Sequence, residues 1–351
     1  MMTKSGEKSP KKNGVNAPAV ADEVDGPLLH SDAPPGELST WMTNISPTLY
    51  DTPIWKLTIP GSHDSGSYGL SVDLGVSPDR PDLQRNIFVR LFKCFSLPTI
   101  HRWTKTQSLD ITGQLAAGIR YIDIRTASKV DDNNLYFCHG LYGPQVVDML
   151  HQINAFLQQN QREIVFIDFQ HFYRLSDDDH KQLTTKIMEI FGRKLVPYSS
   201  QLLMDRITLR YLWDKRQQVF VYYRNETGRM EAPVLWPSRC LPNPWANTMS
   251  REKLTSFLDT NISGRPPNSM YVTQGILTPS NRYVGLHFYS SLRWDLADAC
   301  NQCLTKWLED KSAGTKGPNI VMSDFVEWNG YEIPLKTVKL NEKLALNAYK
   351  N

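Results

Sequence analysis

The chain has 351 residues, of which 40% are hydrophobic and 11% aromatic, so it is long enough to bury one large core. Its 39 basic and 36 acidic residues leave a formal net charge of +3, which creates no general attraction for nucleic acid. The N-terminus lacks the apolar core of a signal peptide, and no run approaches the roughly 18 apolar residues of a membrane span. We therefore expect a cytoplasmic protein that does not bind nucleic acid. The sequence leaves the oligomeric state open.

Five cysteines are scattered along the chain, and an odd number at such positions fits reduced thiols better than a disulfide framework. Cys300 and Cys303 have no second Cys or His pair at zinc spacing nearby. They lie in a pattern typical of an amphipathic helix. We interpret them as buried thiols.

Residues 1–40 are rich in Lys, Pro, Gly, Asp and Ser and contain almost no aromatic residues. Such a composition buries too little apolar surface to offset the entropy of ordering, so we predict a disordered N-terminal tail. From Trp41 onward apolar residues become dense. Residues 41–351 are therefore predicted to form a single domain.

The first predicted strand, at residues 55–59, runs into a loop that carries His63 and Asp64. Pro60-Gly61 should end the strand, which would place His63 just past its C-terminal end. An imidazole beside a carboxylate is suited to acid–base chemistry. A solvated loop without a catalytic role can contain the same pair.

A less regular insert follows at residues 77–106. Its centre, residues 85–95, combines three aromatic residues and three cations: Phe88, Phe92, Phe95, Arg85, Arg90 and Lys93. We expect a helix there that packs its aromatic residues on the domain and turns its arginines outward. The alternative is a helix that lies at a membrane interface.

Predicted strands and helices then alternate to the end of the chain, with seven strand candidates in all. Strands that alternate with helices indicate parallel pairing. The predicted fold class is therefore α/β, as a distorted TIM barrel near eight strands with an irregularity at one seam.

Each predicted strand ends at or near a polar or ionisable residue. If the strands are parallel, these ends meet on one face of the barrel, where α/β barrels hold their chemistry. The set comprises His63, Asp64, Asp123, Arg125, His139, Gln170, Arg224, Gln274 and Asp324. Two imidazoles can act as base and acid while a guanidinium stabilises phosphorus oxygens, so the set predicts phosphoryl transfer.

Single members of this set have structural alternatives. Asp123 and Arg125 alternate along one strand and could form an ion pair inside the barrel. His139 could bond a neighbouring carbonyl. His171 follows Gln170 directly, so it should point the opposite way and have a structural role.

Five segments resemble the phosphatidylinositol-specific phospholipase C X-domain-containing proteins. They are IPGSHDS, GQLAAGIRYIDIR, LYFCHG, EIVFIDFQHFY and NIVMSDFVE. The similarity runs from about Trp41 to near the C-terminus. The resemblance implies a distorted TIM barrel that cleaves phosphatidylinositol by attack of an inositol hydroxyl on the phosphodiester, releasing diacylglycerol and a cyclic inositol phosphate.

The resemblance also implies roles for individual residues. His63 would be the general base, oriented by Asp324. His139 would be the general acid toward the diacylglycerol oxygen, assisted by Asp64. Arg125 would bind the phosphoryl oxygens.

Substrate-binding residues and metal use follow from the same resemblance. Arg224 would bind the headgroup, and we group Gln170 and Asp123 with it. Calcium-dependent relatives carry oxygen ligands where this chain has Arg125, and a guanidinium would repel Ca²⁺ at contact distance. We therefore expect no metal cofactor, although Ca²⁺ is possible. Three further residues follow the Arg224 strand and could contact the inositol ring or lipid, or form loop core: Trp236, Trp245 and Asn247.

The expected partner is a phosphatidylinositol lipid, reached by transient peripheral contact with a membrane. Two rival functions remain at this stage. One is a metal-dependent phosphodiesterase of the same fold, which needs more carboxylates at the strand ends. The other is a catalytically weak protein that binds the lipid headgroup.

Overall fold

The packed domain begins earlier than the sequence predicts. The structure, a computed structural model, describes residues 36–130 and 132–348. Helix α1 spans Gly36–Ser39, and Leu38 within it is buried together with Ala117 and Tyr331. Residues 36–40 are thus part of the domain, and the rest of the predicted tail lies outside the described residues.

Eight strands form one sheet in the described part of the chain. They are β1 (Ile59–Ser62), β2 (Tyr121–Lys129), β3 (Asp132–His139), β4 (Leu141–Gln145), β5 (Val165–Tyr173), β6 (Val219–Tyr223), β7 (Val272–Gln274) and β8 (Ile320–Ser323). Six strands are parallel, in the order β6-β5-β2-β1-β8-β7. Strands β3 and β4 pair antiparallel and extend from β2. Strand β4 is not among the predicted strands.

Helices cover the outside of this sheet and fill the long connections. After α1 they are α2 (Pro81–Arg85), α3 (Ile87–Leu91), α4 (Lys93–Thr104), α5 (Ile111–Ala116), α6 (Val146–Gln159), α7 (Asp177–Phe191), α8 (Leu209–Lys215), α9 (Glu226–Glu231), α10 (Arg251–Ser263), α11 (Asn281–Leu286), α12 (Asp298–Glu309) and α13 (Trp328–Ala348). Within the described residues, none of them combines the length and apolar composition that crossing a bilayer requires.

The gap between β6 and β7 is filled by irregular backbone. Trp236 N donates to Val221 O at 2.8 Å on the β6 side. On the other side, Val272 N donates to Pro242 O at 3.0 Å. The barrel therefore has an irregular seam, as the sequence predicts, and the Pro- and Trp-rich loop forms it.

Alternation along the strands separates the two faces of the sheet. Tyr121, Phe166 and Phe220 are paired in register, and the Phe166 and Phe220 rings stack with centroids 4.7 Å apart. The next residues, including Ile122 and Ile167, share a core with helices α6 and α7. Since Asp123 lies two residues beyond Tyr121, it shares the inner face, close to the start of β2.

Strand β1 contains the Pro60-Gly61 pair that was predicted to end it. Pro60 keeps a role in the sheet because its carbonyl accepts from Arg120 N at 2.9 Å. At Gly61, a Cβ would lie 2.9 Å from Tyr121 Cδ1, so only glycine fits against β2. The predicted end of the strand is therefore wrong by three residues, while His63 still follows it directly, as predicted.

Candidate active site

The loop after β1 holds His63 and Asp64 through backbone contacts with neighbouring strands. His63 N donates to Ser323 O at 3.1 Å, and the Gln107 side chain donates to His63 O at 3.0 Å. Asp64 has a φ of +43°, in the left-handed region that aspartate tolerates better than most residues. Its backbone N–H donates to an Asp123 carboxylate oxygen at 3.0 Å.

His63 is oriented by Asp324, which follows β8. The Nδ1 atom of His63 lies 2.7 Å from Asp324 Oδ1, and the two residues are only 9% and 3% exposed. Because Nδ1 donates to the carboxylate, Nε2 is the position at which His63 gains or loses a proton. This contact is the one expected of a base and its orienting carboxylate.

Arg125 reaches both members of the His63-Asp64 pair. Its Nε lies 2.7 Å from Asp64 Oδ1, and one terminal nitrogen lies 3.3 Å from His63 Nε2. Arg125 therefore pairs with Asp64, which rules out the alternative in which Asp123 is its direct partner. The same His63 Nε2 also lies 3.2 Å from Asp64 Oδ2, which can accept its proton.

His139 reaches the site by a different route from the one predicted. It ends β3, which runs antiparallel to β2, so the prediction that its strand is parallel is wrong. Strand β2 continues beyond the barrel and the hairpin folds back, which returns His139 to the barrel mouth. There its Nδ1 lies 2.8 Å from Thr104 O and 3.2 Å from Asp64 Oδ2.

The neighbouring Gly140 makes this approach possible. It has a φ of +74°, and a Cβ there would lie 2.6 Å from a Thr104 methyl group. The bond to the Thr104 carbonyl was the structural alternative for His139, and it is present. It fixes the ring by Nδ1 and leaves Nε2 available toward the cleft. The His63 and His139 ring centroids are 6.3 Å apart.

Burial and the charges of this cluster shift the pKa values of the two imidazoles in opposite directions. Burial alone would lower the pKa of His63, but the Asp64 and Asp324 carboxylates outweigh it and raise the pKa to about 9. Burial lowers the pKa of His139, and the Asp64 carboxylate offsets this only in part. At neutral pH, His63 therefore holds a proton and His139 is neutral, as in a matched donor and acceptor.

Arg224 and Gln170 lie across the cleft mouth in a polar network built on Asp168. Arg224 makes a bidentate pair with the buried Asp168 carboxylate, at 2.8 Å for both contacts. Tyr121 Oη donates to the same carboxylate at 2.8 Å, and Gln170 Nε2 donates to Tyr121 Oη at 3.3 Å. Asn243 also donates to that hydroxyl at 3.3 Å.

Three members of this network were missed by sequence reasoning: Tyr121, Asp168 and Asn243. Asp168 could have been identified from the sequence, because it lies two residues before Gln170 and strand alternation predicts that both are on the same face. Asn243 could not, since it lies in the irregular seam, where no strand pattern applies. Gln274, at the end of β7, contacts Asn243 Oδ1 at 2.6 Å and joins the network.

The interpretation of His171 as a structural residue that points away from Gln170 is wrong. The pairing of β2 with β5 shifts here, since Ile124 faces Phe169 and Arg125 faces His171. Gln170 is the extra residue of this bulge, and a bulge breaks strand alternation. His171 is exposed and lines the same cleft as Gln170.

Asp123 lies beneath the cleft surface, unlike Arg224 and Gln170, the other two residues predicted to bind substrate. It is fully buried, whereas Arg224 and Gln170 line the cleft. One oxygen accepts from Asp64 N, and burial raises the pKa of its carboxyl to about 6. Its position therefore assigns it to holding the His63 loop.

His63, Asp64 and Asp123 are close enough to be considered as metal ligands, with candidate donor atoms within 4.8 Å of one another. Calcium prefers six to eight oxygen ligands. Here the Arg125 guanidinium contacts Asp64 and His63 directly, and the Gln170 side chain donates to Tyr121. The donor set therefore does not fit Ca²⁺ while Arg125 keeps its place.

One cleft of about 1140 Å³ is lined by seven of the predicted site residues: His63, Arg125, His139, Gln170, Arg224, Gln274 and Asp324. Trp245 lines it and is 51% exposed, whereas Trp236 is buried in the core. Asn247 adopts a left-handed φ of +45° in the same loop.

The insert of residues 85–95 differs from the prediction that its aromatic residues pack on the core. Phe88, Phe92 and Phe95 are 69%, 52% and 74% exposed. The insert divides into the short helices α2 and α3 and the start of α4. A segment divided among three helices cannot present the single continuous apolar stripe on which that prediction depended.

Known proteins are similar to this chain in sequence and in fold. A family model described as "Phosphatidylinositol-specific phospholipase C, X domain" matches residues 97–224. PI-PLC X domain-containing protein 3 of Homo sapiens is 37% identical over 294 residues, which cover 83% of this chain and 90% of that protein. PI-PLC X domain-containing protein 2 of Homo sapiens is 42% identical over 243 residues, which cover 68% and 77%.

Solved structures of bacterial enzymes share the fold. The phosphatidylinositol-specific phospholipase C of Listeria monocytogenes matches with a TM-score of 0.57 at 19% identity, over 86% of this chain and 98% of that one. A Staphylococcus aureus enzyme of the same name matches with a TM-score of 0.58 at 14% identity, over 87% and 97%. The 37% and 42% sequence identities over most of both chains show that this chain belongs to the family of PI-PLC X domain-containing proteins.

Proposed function

We propose that this protein is a phospholipase C that cleaves phosphatidylinositol by acid–base catalysis. The observation that carries the proposal is that His63 and His139 both contact the Asp64 carboxylate and both line the cleft, together with Arg125. Binding a phosphate needs only cations. A matched base and acid is the arrangement that transferring a phosphoryl group needs.

In this reaction the neutral form of His63 takes the proton of an inositol hydroxyl at Nε2. The hydroxyl oxygen forms a bond to phosphorus, and the bond from phosphorus to the diacylglycerol oxygen breaks. That oxygen takes a proton from Nε2 of His139. The products are diacylglycerol and a cyclic inositol phosphate, and water can open the cyclic ester in a second step.

The catalytic proton arrangement is the reverse of the resting one, in which His63 is charged. A phosphodiester anion next to His139 stabilises its protonated form, so substrate binding favours a proton on the acid. Arg125 contacts the phosphoryl oxygens and neutralises charge that develops there. Asp324 and Asp64 position the two imidazoles, and Arg224 and Gln170 contact the headgroup.

We also propose that no resident metal is required. The guanidinium of Arg125 supplies a positive charge at the place where an oxygen-bound divalent cation would supply it. Its pKa is raised because Asp64 and Asp123 outweigh the cost of burial, so it stays charged throughout the pH range of activity.

Access to a lipid headgroup requires contact with a membrane, and we assign that contact to the exposed segment of residues 85–95. Its exposed phenylalanines lie beside the cleft mouth, and Phe88, Phe92 and Phe95 all line the cleft. The cations of the segment suit anionic lipid. The five unpaired cysteines fit the reducing environment of the cytoplasm.

Product analysis of purified protein with phosphatidylinositol vesicles tests the proposal. We expect diacylglycerol and inositol phosphate to be released at the same rate with and without chelator. Vesicle binding without product would identify a headgroup-binding protein instead, and release that needs added Ca²⁺ would identify a metal-dependent phosphodiesterase.

A further inference from the structure

The cleft that contains the candidate catalytic groups continues as an apolar groove. Its volume of about 1140 Å³ exceeds the roughly 300–1,000 Å³ of pockets that enclose small-molecule ligands. A polar inositol phosphate headgroup fills only part of it. The remaining space lies between two walls, and their composition indicates what it holds.

Both walls of this groove carry apolar side chains among a few neutral polar ones. One wall comes from α3 and α4 and includes Val89 and Trp103, and the other comes from β7 to α11 and includes Leu277 and Val284. The charged residues at the groove, Arg80 and Asp82, neutralise each other through two hydrogen bonds of 2.9 and 2.8 Å. A hydrocarbon chain is therefore compatible with this lining, whereas a second charged group is not.

The two walls are tied together, so the groove exists before any ligand binds. Arg102 donates to Phe288 O at 2.9 Å, and Trp103 Nε1 donates to His287 O at 3.2 Å. The Trp103 and Tyr283 rings meet edge to face with centroids 5.9 Å apart. Pre-formed walls reduce the ordering cost when a flexible ligand binds.

The groove begins at the candidate general acid. His139 is held by the carbonyl of Thr104, the last residue of α4, and Ile100 and Trp103 line the groove within one turn of that residue. The group that His139 protonates at Nε2, the ring nitrogen not bonded to Thr104, is released into the cleft that these residues also line. In the proposed reaction that group is the diacylglycerol oxygen, so its glycerol and acyl chains have access to the groove.

We propose that the groove between α4 and α11 binds the acyl chains of the substrate lipid. This inference rests on the proposed function, because the leaving group of that reaction is released into the cleft that the groove shares with His139. The enzyme then recognises phosphatidylinositol by its hydrocarbon as well as its headgroup. Substrate selection by chain length follows even for lipid that is not in a bilayer.

Gly285 provides a substitution that fills the groove. It lies on α11, lines the cleft, and a Cβ built there meets nothing within 4 Å. Gly285→Trp thus adds a ring to the groove without displacing core. Leu286→Trp is the matched control, since Leu286 is the next residue of α11, is 64% exposed and does not line the cleft.

The experiment compares monomeric substrates below their critical micelle concentrations: glycerophosphoinositol, dibutanoyl phosphatidylinositol and dihexanoyl phosphatidylinositol. For the parent protein we expect kcat/KM to rise roughly 3- to 4-fold for each methylene that the groove buries. Gly285→Trp should reduce the ratio of dihexanoyl to glycerophosphoinositol hydrolysis by about 10-fold or more. Leu286→Trp should keep the parent ratio.

Equal rates on all three substrates would overturn the groove inference while leaving the proposed function intact, because the enzyme would then hydrolyse the lipid without contacting its acyl chains. An unchanged ratio in Gly285→Trp would overturn it as well. If no substrate is hydrolysed, the proposed function fails. Calorimetric binding of the same lipids then tests whether the groove binds acyl chains. Affinity that rises with chain length and is lost in Gly285→Trp supports it, and affinity independent of chain length overturns it.

Discussion

Arg125 Nε lies 2.7 Å from the Oδ1 atom of Asp64, at the centre of the candidate active site. Burial alone would raise the pKa of Asp64, but the Arg125 charge, followed by those of the two histidines, holds it below its usual value. Asp64 therefore stays ionised between His63 and His139. One carboxylate can stabilise a proton on either imidazole, which couples the base to the acid.

Removal of either imidazole should abolish turnover. We expect His63→Ala and His139→Ala to lower kcat by roughly 10²- to 10⁴-fold, the usual contribution of a general acid or base. Diacylglycerol release from phosphatidylinositol measures the effect, and circular dichroism verifies the fold. His151→Ala, at an exposed position of α6, is the control and should keep parent activity. A folded histidine variant with the parent rate would contradict the assignment.

We expect the activity of the parent protein to be unaffected by chelators and to require Arg125. Arg125→Asp removes the charge that faces phosphate and places a second carboxylate beside Asp64, so we expect activity to be lost. Added Ca²⁺ should not restore it, since Gln170 offers only a neutral oxygen and donates to Tyr121. Rates measured over a calcium titration check this, and a chelator-sensitive parent enzyme rescued by Ca²⁺ would refute the metal-independent mechanism.

The rate should depend on pH as a bell-shaped curve, because catalysis needs one neutral and one protonated imidazole. Below the lowered pKa of His139 both rings are charged and no base remains. Above pH about 9, both rings are neutral and no acid remains. Activity therefore falls at both acidic and alkaline pH, and the two limbs of the curve report apparent pKa values that belong to the coupled pair of imidazoles.

Asp324 contributes to the alkaline limb of that curve. The Asp64 and Asp324 carboxylates together raise the pKa of His63, so Asp324→Asn should move the alkaline limb to lower pH. A lower rate with an unmoved limb would mean that Asp324 only holds the loop. The pH dependence of kcat/KM for a soluble substrate provides the measurement.

The exposed segment of residues 85–95 should bind anionic membranes. Arg90→Glu combined with Lys93→Glu reverses two charges and leaves the phenylalanines intact, so sedimentation with anionic vesicles should weaken, at about 1 kcal/mol per cation removed. The melting temperature and the hydrolysis of a monomeric substrate should not change. Unaltered vesicle binding would exclude this segment as the membrane contact.

The buried pair Arg120–Glu163 should stabilise the end of the barrel opposite the site. Both side chains are fully buried, and Glu163 also accepts from Thr43 N at 2.8 Å. Arg120→Met leaves a buried carboxylate unpaired, which should lower the free energy of unfolding by roughly 3–5 kcal/mol. Denaturant unfolding measures it. Adding Glu163→Met should recover part of the loss, and an additive double variant would contradict a direct pair.

Several parts of the fold and site could be predicted from the sequence because their causes are local. The alternation of strands with helices indicated the α/β barrel, and polar strand ends indicated which side chains would meet. His63 and Asp324 follow this rule, since each comes directly after a parallel strand, whereas Arg125 lies inside β2, which continues past the site. The Pro- and Trp-rich composition of residues 234–248 also agreed with an irregular seam.

Other features were decided by tertiary structure, because they depend on contacts between distant segments. The antiparallel return of β3 brings His139 to the mouth, and a register shift against β2 turns His171 toward the cleft. Neither pairing is encoded in strand alternation, which has a period of two residues and carries no information about the partner strand. The exposure of Phe88, Phe92 and Phe95 was likewise set by tertiary structure, because their segment is divided among separate helices. The sequence by itself thus determined the chemical groups of the site, and the tertiary structure decided their geometry, because distances between strands arise only when the sheet is assembled.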